Sequence, residues 1–432
     1  MSYDDLDNAI GKLKKAAIDA YMADDGFYES KLGNNLYYKW GWAPNGYEMP
    51  SSSGEGGGRM ADGLPWADDI SFDGIRSRVD NAVDMWRGLP TGTAAGTYKT
   101  STSSAAAGLG ASGSGTSVAD DGAILTSTNT MGELLTQSLV ASFIEPMLDK
   151  YYTQFKAVSQ SLGAAAAILQ MNYTMQSTMW QGVRNDVATI ITKAETAFTQ
   201  YADDKSAADF QITLGVVATV AGAVATVATA GAAAPLVGAM VTLSSAASTA
   251  VSAISAETAI TGGSYDEIMS SFEEALEKLR SAVSDQESEV RTMLSGAVNA
   301  IIADPSGFDL DRYQIKTQGD FSDEIVMVRQ HTNTVSSNMQ RVIDGLDAAK
   351  SALGSPPYSD PTPHDSRISS GTHSYALSLF DYTADALMST LEEYSRGKDL
   401  FDAEADNYFT TDEENQQLVE ELAASEALTP NS

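Results

Sequence analysis

Residues 147–205 read MLDKYYTQFKAVSQSLGAAAAILQMNYTMQSTMWQGVRNDVATIITKAETAFTQYADDK, and this stretch decides the fold. Apolar side chains recur in it mostly every three or four positions, from Leu148 past Trp180 to Tyr201. That spacing is typical of the buried face of a helix. At about 1.5 Å per residue, the predicted helix is roughly 90 Å long.

Further apolar stripes with helical spacing lie on both sides of this helix, at about 3–22, 71–86, 269–300, 325–353 and 377–408. The pairs Asp304-Pro305 and Pro356-Pro357 follow two of these stripes and are expected to end them. No run alternates convincingly between apolar and polar residues, so no strand is predicted. The sequence therefore predicts an all-α protein, an elongated antiparallel bundle of long helices.

Between the stripe that ends at Tyr201 and the stripe at 269–300 lies a stretch without charge, 210–256, which reads FQITLGVVATVAGAVATVATAGAAAPLVGAMVTLSSAASTAVSAISA. It breaks at 231–235, leaving two apolar arms at about 212–230 and 236–256. Each arm is about long enough to cross the hydrocarbon core of a bilayer. We predict a central apolar helical hairpin, whose candidate membrane residues are Ile212, Leu214, Val216, Val217, Pro235, Leu236, Val237, Met240 and Val241.

This hairpin has two interpretations that the sequence leaves open. The arms are rich in Ala, Gly, Ser and Thr, and such small residues let helices pack closely, either in a membrane or inside a soluble bundle. A permanent two-pass membrane protein is disfavoured, because Lys205 is the one basic residue near the segment.

The composition of the chain restricts the kinds of partner that the protein can bind. The chain has 432 residues, 26 of them basic and 58 acidic, for a net charge of -32. An acidic surface of this kind repels nucleic acid and anionic membranes. The acidity has two possible explanations, a salt-rich habitat or a solvated helical surface. There is no Cys, hence no disulfide framework. The first residues lack an apolar run, so we expect no Sec-type signal peptide.

Four regions are predicted along the chain. Residues 1–90 hold short helices, a W-x-G tripeptide and an aromatic loop whose candidate partner-binding residues are Tyr37, Tyr38, Trp40 and Trp42. Residues 91–118 are rich in Gly and Ser and are predicted to be a flexible linker. Residues 119–412 form the long-helix bundle, and 413–432 an acidic tail. The aromatic loop either binds carbohydrate or a partner protein, or covers one end of the bundle.

Chemistry-bearing residues are sparse. Of the three His, His331 lies on a predicted helix without an acidic partner at ligand spacing, and His364 and His373 lie in a loop rich in Pro, Ser and Gly, so no metal site or cofactor is predicted. A literal G-x-G-x-x-G at 108–113 lies in the low-complexity stretch with no strand before it, so it carries no nucleotide-binding signal. Because no nucleophile, base and orienting group can be assembled, we predict a protein that is not an enzyme.

Two short motifs remain. Trp86-Arg87-Gly88 follows an amphipathic helix and precedes Leu89-Pro90, where a large aromatic and a flexible turn residue suit a helix end. Tyr408 and Asp412 form Y-x-x-x-D at the end of the last stripe, one helical turn apart. A second W-x-G, at Trp180, lies inside the longest stripe and is predicted to be core.

This combination resembles substrates of the type VII (ESX) secretion systems of actinobacteria. The resemblance covers the two short motifs and the helical style of the chain, and it implies that W-x-G and Y-x-x-x-[DE] meet to form a bipartite export signal. Carried over, Trp86 and Gly88 would supply one half, and Tyr408 and Asp412 the other. The implied location is secreted or at the cell surface, and the implied partner is the secretion machinery or a helical co-substrate.

The architecture is also similar to that of the α-helical pore-forming toxins, in which an apolar hairpin between long helices is stored in the soluble form and enters lipid on assembly. That resemblance implies membrane lipid as a partner and a homo-oligomer. The resulting expectation is an exported helical protein that oligomerises on membranes or inserts into them. The alternative is a soluble structural or interaction protein whose hairpin stays buried as core.

Overall fold

The computed structural model describes residues 2–32, 35–41, 46–60, 69–110, 123–215, 257–315, 326–356, 367–368 and 371–427. These residues form a predominantly all-α fold, as the stripes predicted. The α-helices are α1 (Leu6–Asp24), α2 (Asp73–Val83), α3 (Thr93–Gly108), α4 (Ala123–Gln137), α5 (Ile144–Met147), α6 (Phe155–Asp204), α7 (Tyr265–Ala303), α8 (Arg329–Leu353) and α9 (His373–Ala427). The strands are β1 (Phe27–Leu32), β2 (Asn35–Trp40), β3 (Tyr47–Glu48), β4 (Ala208–Thr213) and β5 (Glu257–Gly262).

Helix α6 is the axis of the bundle, and the predicted long helix is confirmed. It continues α5 through a π-helical turn, Leu148–Gln154, and ends where Lys205 adopts a left-handed conformation. Trp180, Phe198 and the other large apolar residues of its stripe are buried along its length.

Two long neighbours of α6, the helices α7 and α9, run antiparallel to it, whereas α1 runs parallel to it, since Arg184 pairs with Asp4 and Tyr201 bonds to Asp24. Phe198 packs against Tyr265 at one end of α7, and Gln154 donates to the carbonyl of Ser306 just beyond the other end. Helix α9 is also antiparallel, since Thr372 bonds to Asn172 and Tyr394 packs against Phe155. Helices α7 and α9 therefore run parallel to each other on the surface of α6.

Two hydrophobic clusters divide the core. The first is built from α1, α2, α3, most of α6, α7, the start of α9 and the ribbon of β4 and β5. The second is built from α4, the start of α6, α8 and the middle of α9. Because α6 and α9 contribute to both clusters, the two halves of the rod share continuous helices.

The prediction that the chain has no strand is wrong at two places. Strands β1, β2 and β3 form a three-stranded antiparallel sheet in the region taken as an aromatic loop. Strands β4 and β5 form a two-stranded ribbon. The runs FYESKL and NLYYKW lack a regular alternation of apolar and polar residues, which is why pattern reasoning missed the sheet.

The prediction of a flexible linker at 91–118 is also wrong for most of the residues of this range that the structure describes. Residues Thr93–Gly108 form α3, which packs along α6 and buries Ala95, Thr102, Ala105 and Ala106. A run of small side chains carries no amphipathic stripe, yet it permits close backbone approach: a Cβ at Gly92 would lie 2.6 Å from the carbonyl oxygen of Ser177. The acidic tail likewise begins as helix, because α9 continues to Ala427.

Within the described ranges, none of the helices combines the length and the apolar character needed to cross a bilayer.

Candidate functional site

The uncharged segment begins in strand β4 and is followed directly by strand β5, and these two strands pair to form the β4–β5 ribbon. Its six antiparallel pairs run from Ala208 opposite Gly262 to Thr213 opposite Glu257. The predicted helical arm from Ile212 is therefore wrong at its start, since Ile212 lies in a strand and is 3% exposed, and the adjoining Leu214 is 1% exposed. The remaining candidate membrane residues lie outside the described residues: Val216, Val217, Pro235, Leu236, Val237, Met240 and Val241.

The ribbon folds back along the rod instead of extending beyond the end of α6. The ammonium of Lys193 lies 5.3 Å from the ring centroid of Phe210, and the Gly215 amide donates to an Asp186 carboxylate oxygen at 2.9 Å. Asp186 is 18 residues before Asp204, about 27 Å back along the helix. The uncharged segment thus begins beside the body of α6.

Helix α7 fixes the other strand. The Thr261 amide donates to the Ser271 hydroxyl at 2.9 Å, and that hydroxyl donates to the Ala259 carbonyl at 3.0 Å. At the start of α7, the Ser264 hydroxyl accepts from the Glu267 amide, while the Glu267 carboxylate accepts from the Gly263 amide at 2.8 Å. This is a capping arrangement that satisfies exposed amides at a helix N-terminus.

A carboxylate of α1 joins the two long helices where the ribbon begins and ends. Asp24 accepts hydrogen bonds from the Tyr201 hydroxyl, near the end of α6, and from the Tyr265 amide at 2.7 Å, at the start of α7. The hydrogen bond to Asp24, together with burial, raises the pKa of Tyr201 to about 12. The N-terminal helix therefore stabilises the base of the ribbon.

The W-x-G motif forms the predicted helix-ending turn. Trp86 closes a 3-10 turn after α2 and is 0% exposed, and Gly88 has φ of +69°. The Tyr3 hydroxyl donates to the Trp86 carbonyl and accepts from the Leu89 amide at 3.0 Å. Arg184 stacks its guanidinium 4.3 Å from the Tyr3 ring centroid, which fastens the turn to α6.

The second W-x-G is core, as predicted. Trp180 is 0% exposed, and its indole N–H donates to the Gln176 side chain at 2.8 Å. Gln176 in turn donates to the hydroxyl of Thr372, just before α9. Trp180 thus takes part in a buried polar network that positions the start of α9.

Tyr408 and Asp412 lie within the last third of α9, which continues for 15 residues beyond Asp412 to Ala427, so the expectation that they mark the end of the last helix is wrong. Tyr408 is half-buried and Asp412 is exposed. Next to them, Arg329 contacts the Phe409 ring at 4.3 Å and pairs with Glu413 at 2.7 Å. The motif therefore lies where α8 begins.

Within one chain, the two motifs do not meet. Trp86 lines a small cavity with Leu276 of α7, while Glu287, further along α7, contacts Gly371 before α9 begins. Tyr408 lies 37 residues beyond Gly371, about 55 Å along the helix and directed away from Trp86. The expectation that folding joins the two halves of the export signal is wrong for the single chain.

The four candidate partner-binding aromatics do not form one surface. Tyr38 is 2% exposed and donates to Asp19 at 2.5 Å, and Tyr37 is also buried. Trp40, opposite Phe27 in the sheet, is 63% exposed, and Trp42 lies outside the described residues. Tyr38 thus packs with the core of α1, while Trp40 and also Tyr28, at 51% exposure, remain accessible.

Sequence reasoning missed a buried ionic cluster between the π-helical turn and α9. The Lys150 ammonium and the Tyr151 hydroxyl both contact one Glu393 oxygen, at 2.6 and 2.9 Å, and Arg396 binds the other at 2.6 Å. Burial and the hydrogen bond to Glu393 raise the pKa of Tyr151. The available signal was a charged residue inside an apolar stripe on each of two helices.

The described residues contain no cluster of three or more His, Asp or Glu side chains arranged to hold a metal ion. The buried ionic cluster is surrounded by core, with Tyr151 and Tyr394 packed edge to face at 5.6 Å. The geometry of the cluster is suited to fixing the position of α9 along the π-helical turn that precedes α6. Comparison of the chain with known protein families, curated proteins and solved structures finds no match.

Proposed function

We propose that this protein is an exported, non-enzymatic helical protein that oligomerises on membranes or inserts into them through its uncharged segment. The observation that carries the proposal is the β4–β5 ribbon, which holds the two ends of that segment together beside α6. A segment whose ends are paired leaves and re-enters the rod at one place, as a two-armed membrane hairpin requires.

Charge supports the same role. Asp209 and Glu257 bound the segment, and no charged residue lies between Phe210 and Ala256. Burying a charge in a bilayer core costs about 2.5–3.5 kcal/mol or more, so a charge-free run of this length suits insertion. The net charge of -32 opposes approach to anionic lipid, so we expect a preference for zwitterionic membranes.

The ribbon also supports storage of the segment in the soluble form. The strands lie against α6 and α7 through hydrogen bonds of Asp186 and Ser271 and bury Ile212 and Ile260. Lipid binding that opens the ribbon would therefore have to compete with these interactions.

A single-cysteine experiment tests insertion, because the native chain has no Cys to interfere. Val237→Cys carries an environment-sensitive fluorophore, and Ser378→Cys on exposed α9 is the matched control. Adding phosphatidylcholine vesicles should shift the emission of the Val237 label to the blue and leave the Ser378 label unchanged. Vesicle leakage and flotation are measured on the same samples.

Two results would overturn the membrane role. One is identical emission of both labels with and without vesicles across pH and salt, together with no flotation. The other is equal protease protection of 216–256 with and without lipid. The latter would favour the second candidate, a soluble interaction protein, for which the burial of Ile212 and Leu214 is the specific observation.

Export by a type VII-like route is supported by the arrangement of Tyr408 and Asp412, which lie one turn apart in the last third of α9 with Asp412 exposed. Trp86 is buried, so changing it would damage the fold as well as any signal. The informative variants are Tyr408→Ala and Asp412→Ala, with Phe409→Ala as the control on the same turn. In a host carrying a type VII apparatus, the first two should accumulate in cells while the control is exported. Normal export of all three variants would rule out this signal.

A further inference from the structure

The three-stranded sheet ends in a strand that has a neighbour on one side only. The strand order is β1–β2–β3, and β1 pairs with β2 over six residues, from Phe27 opposite Trp40 to Leu32 opposite Asn35. In the described part of the chain, no other strand pairs with β1. An edge of this kind presents amide and carbonyl groups to which another strand can bond.

The hydrogen bonds on the other side of β2 show which residues of β1 direct their backbone groups outward. The Met49 amide donates to the Leu36 carbonyl at 3.2 Å on the β3 side of β2. Because backbone groups alternate in direction along a strand, those of Tyr37 point to β1, where Tyr37 lies opposite Ser30. The backbone groups of Ser30 therefore point to β2, and those of the two residues that flank Ser30 point away from the sheet.

The two residues that flank Ser30 carry opposite charges. They are Glu29 and Lys31, and both are exposed. Neither takes part in a salt bridge within the described ranges of the chain. Asp19 of α1, which faces the inner strand β2, is already paired with Lys15 at 2.6 Å. The edge of β1 thus offers one acid and one base to an incoming strand.

We propose that the edge of β1 is the self-association surface of the protein, and that its occupant is β1 of a second copy, antiparallel to the first and centred on Ser30. In a two-fold interface the same segment faces itself. With Ser30 opposite Ser30, Glu29 of each copy lies opposite Lys31 of the other. These are also the residues whose backbone groups point outward, so each such pair can exchange two backbone hydrogen bonds.

Charge and backbone direction together select this register. Of the centres within the strand, Ser30 alone places Glu29 opposite Lys31. A centre at Glu29 or at Lys31 places like charges opposite each other, which is destabilising. A centre at Tyr28 leaves Glu29 opposite Phe27. A centre between two residues opposes outward groups of one copy to inward groups of the other, so the hydrogen bonds cannot form.

Helix α1 leaves room for a second copy at this edge. Glu29 lies opposite Tyr38, and both side chains therefore project from the face of the sheet that packs on α1. Tyr38 is buried there, whereas Glu29 is exposed, so α1 lies beneath β2 and not beneath the middle of β1. Charges on an edge strand commonly oppose pairing, but a register that joins acid to base removes that protection.

A single cysteine tests the register, because the native chain has no Cys. Ser30 would form a pair without backbone hydrogen bonds, with Cα atoms about 4.5 Å apart, which is within the range that a disulfide spans. Mild oxidation of the full chain with Ser30→Cys, without lipid, should therefore give a covalent dimer. Tyr28→Cys is the matched control, since Tyr28 is exposed on the same strand but would lie about 13 Å along the strand from its copy. The control should remain uncrosslinked.

A charge exchange adds a readout that loss of folding would not mimic. In sedimentation of the Cys-free chain at about 0.15 M salt, Glu29→Lys alone should raise the dissociation constant about tenfold. Glu29→Lys with Lys31→Glu should restore it to within about threefold, because the exchange keeps opposite charges opposite.

Three results would overturn the proposal: no covalent dimer from Ser30→Cys, equal crosslinking of Tyr28→Cys, or no restoration by the charge exchange. The inference rests on the oligomerisation part of the proposed function and is independent of membrane insertion. Because no lipid is present, none of these outcomes bears on insertion, and failed insertion would leave the dimer result unchanged.

Discussion

Glu393 is a buried carboxylate with three partners, Lys150, Tyr151 and Arg396. Breaking a buried ion pair from one side costs about 3–5 kcal/mol, because the remaining charge stays uncompensated. We expect Glu393→Leu to lower the free energy of unfolding by this amount. Lys150→Met should cost less, since Glu393 would keep Tyr151 and Arg396.

The double variant Lys150→Met with Glu393→Leu should recover part of the loss, because it removes both buried charges. Urea unfolding of the three variants measures these differences. Equal costs for the two single variants, with no recovery in the double variant, would contradict the proposed roles of the partners.

Tyr201 gives the structure a defined response to alkali. Its hydrogen bond to Asp24 and its burial raise the pKa from 10.0 to about 12 in the folded protein. The folded state therefore holds this proton more tightly than the unfolded state, which stabilises the fold fully below pH 10 and is lost as pH rises to about 12.

We expect the free energy of unfolding of Tyr201→Phe to fall less steeply than that of the parent between pH 10 and about 12. At pH 8 the variant should be less stable than the parent. The measurement is the free energy of unfolding against pH. Tyr21→Phe is the control, since Tyr21 is partly exposed at 36%. A parental slope in Tyr201→Phe would show that the tyrosine does not couple to folding.

At the scale of elements, the contact of α3 with α6 tests whether a low-complexity stretch acts as a folded helix. Gly92 has φ of +78°, and a Cβ there would lie 2.6 Å from the Ser177 carbonyl oxygen. Gly88 has a similar φ of +69° but open space around it. Substitution of the two glycines by alanine therefore distinguishes the cost of backbone strain, present at both positions, from the cost of a steric clash, present only at Gly92.

Gly88→Ala should cost about 1–2 kcal/mol, which is the left-handed strain alone. Gly92→Ala should cost at least about 1 kcal/mol more, because α3 must also move away from α6. Thermal unfolding of both variants checks the difference. Equal costs would indicate that α3 does not press against α6.

The β4–β5 ribbon is an element that the pattern of apolar and charged residues did not predict. The first residues of the uncharged run, Phe210 to Thr213, lie in β4, and β5 begins at Glu257 directly after the run, because Phe210, Ile212 and Ile260 pack into the core beside α6 and α7. Thr258 and Ile260 are the buried positions of β5, and so short an alternation in a six-residue strand does not stand out in the sequence. The tertiary contact, and not the local sequence, decided strand over helix.

At the scale of the molecule, the net charge of -32 is spread over a long rod. Several salt bridges on it are largely exposed, such as Arg329 with Glu413, and contribute little individually. Repulsion among the acids therefore dominates at low salt. We expect the melting temperature to rise by several degrees as NaCl increases from about 0.01 to 0.5 M, where the Debye length falls from about 30 Å to under 8 Å.

Differential scanning calorimetry at constant pH measures this dependence, and potassium chloride serves as a check on ion identity. A melting temperature that falls with salt would mean that ion pairs stabilise the rod more than acid repulsion opposes it.

The sequence by itself determined the long helices and the uncharged segment, because helical periodicity and charge are local properties. It also placed Trp86 at a helix end and Trp180 in the core, since a turn signal and a stripe position are readable from neighbours. Tertiary structure alone decided that α3 is a helix, that the ribbon folds back, and that Trp86 lies far from Tyr408. Those features depend on which surfaces meet across hundreds of residues, and a pattern of period 3.6 carries no information about the partner of each face.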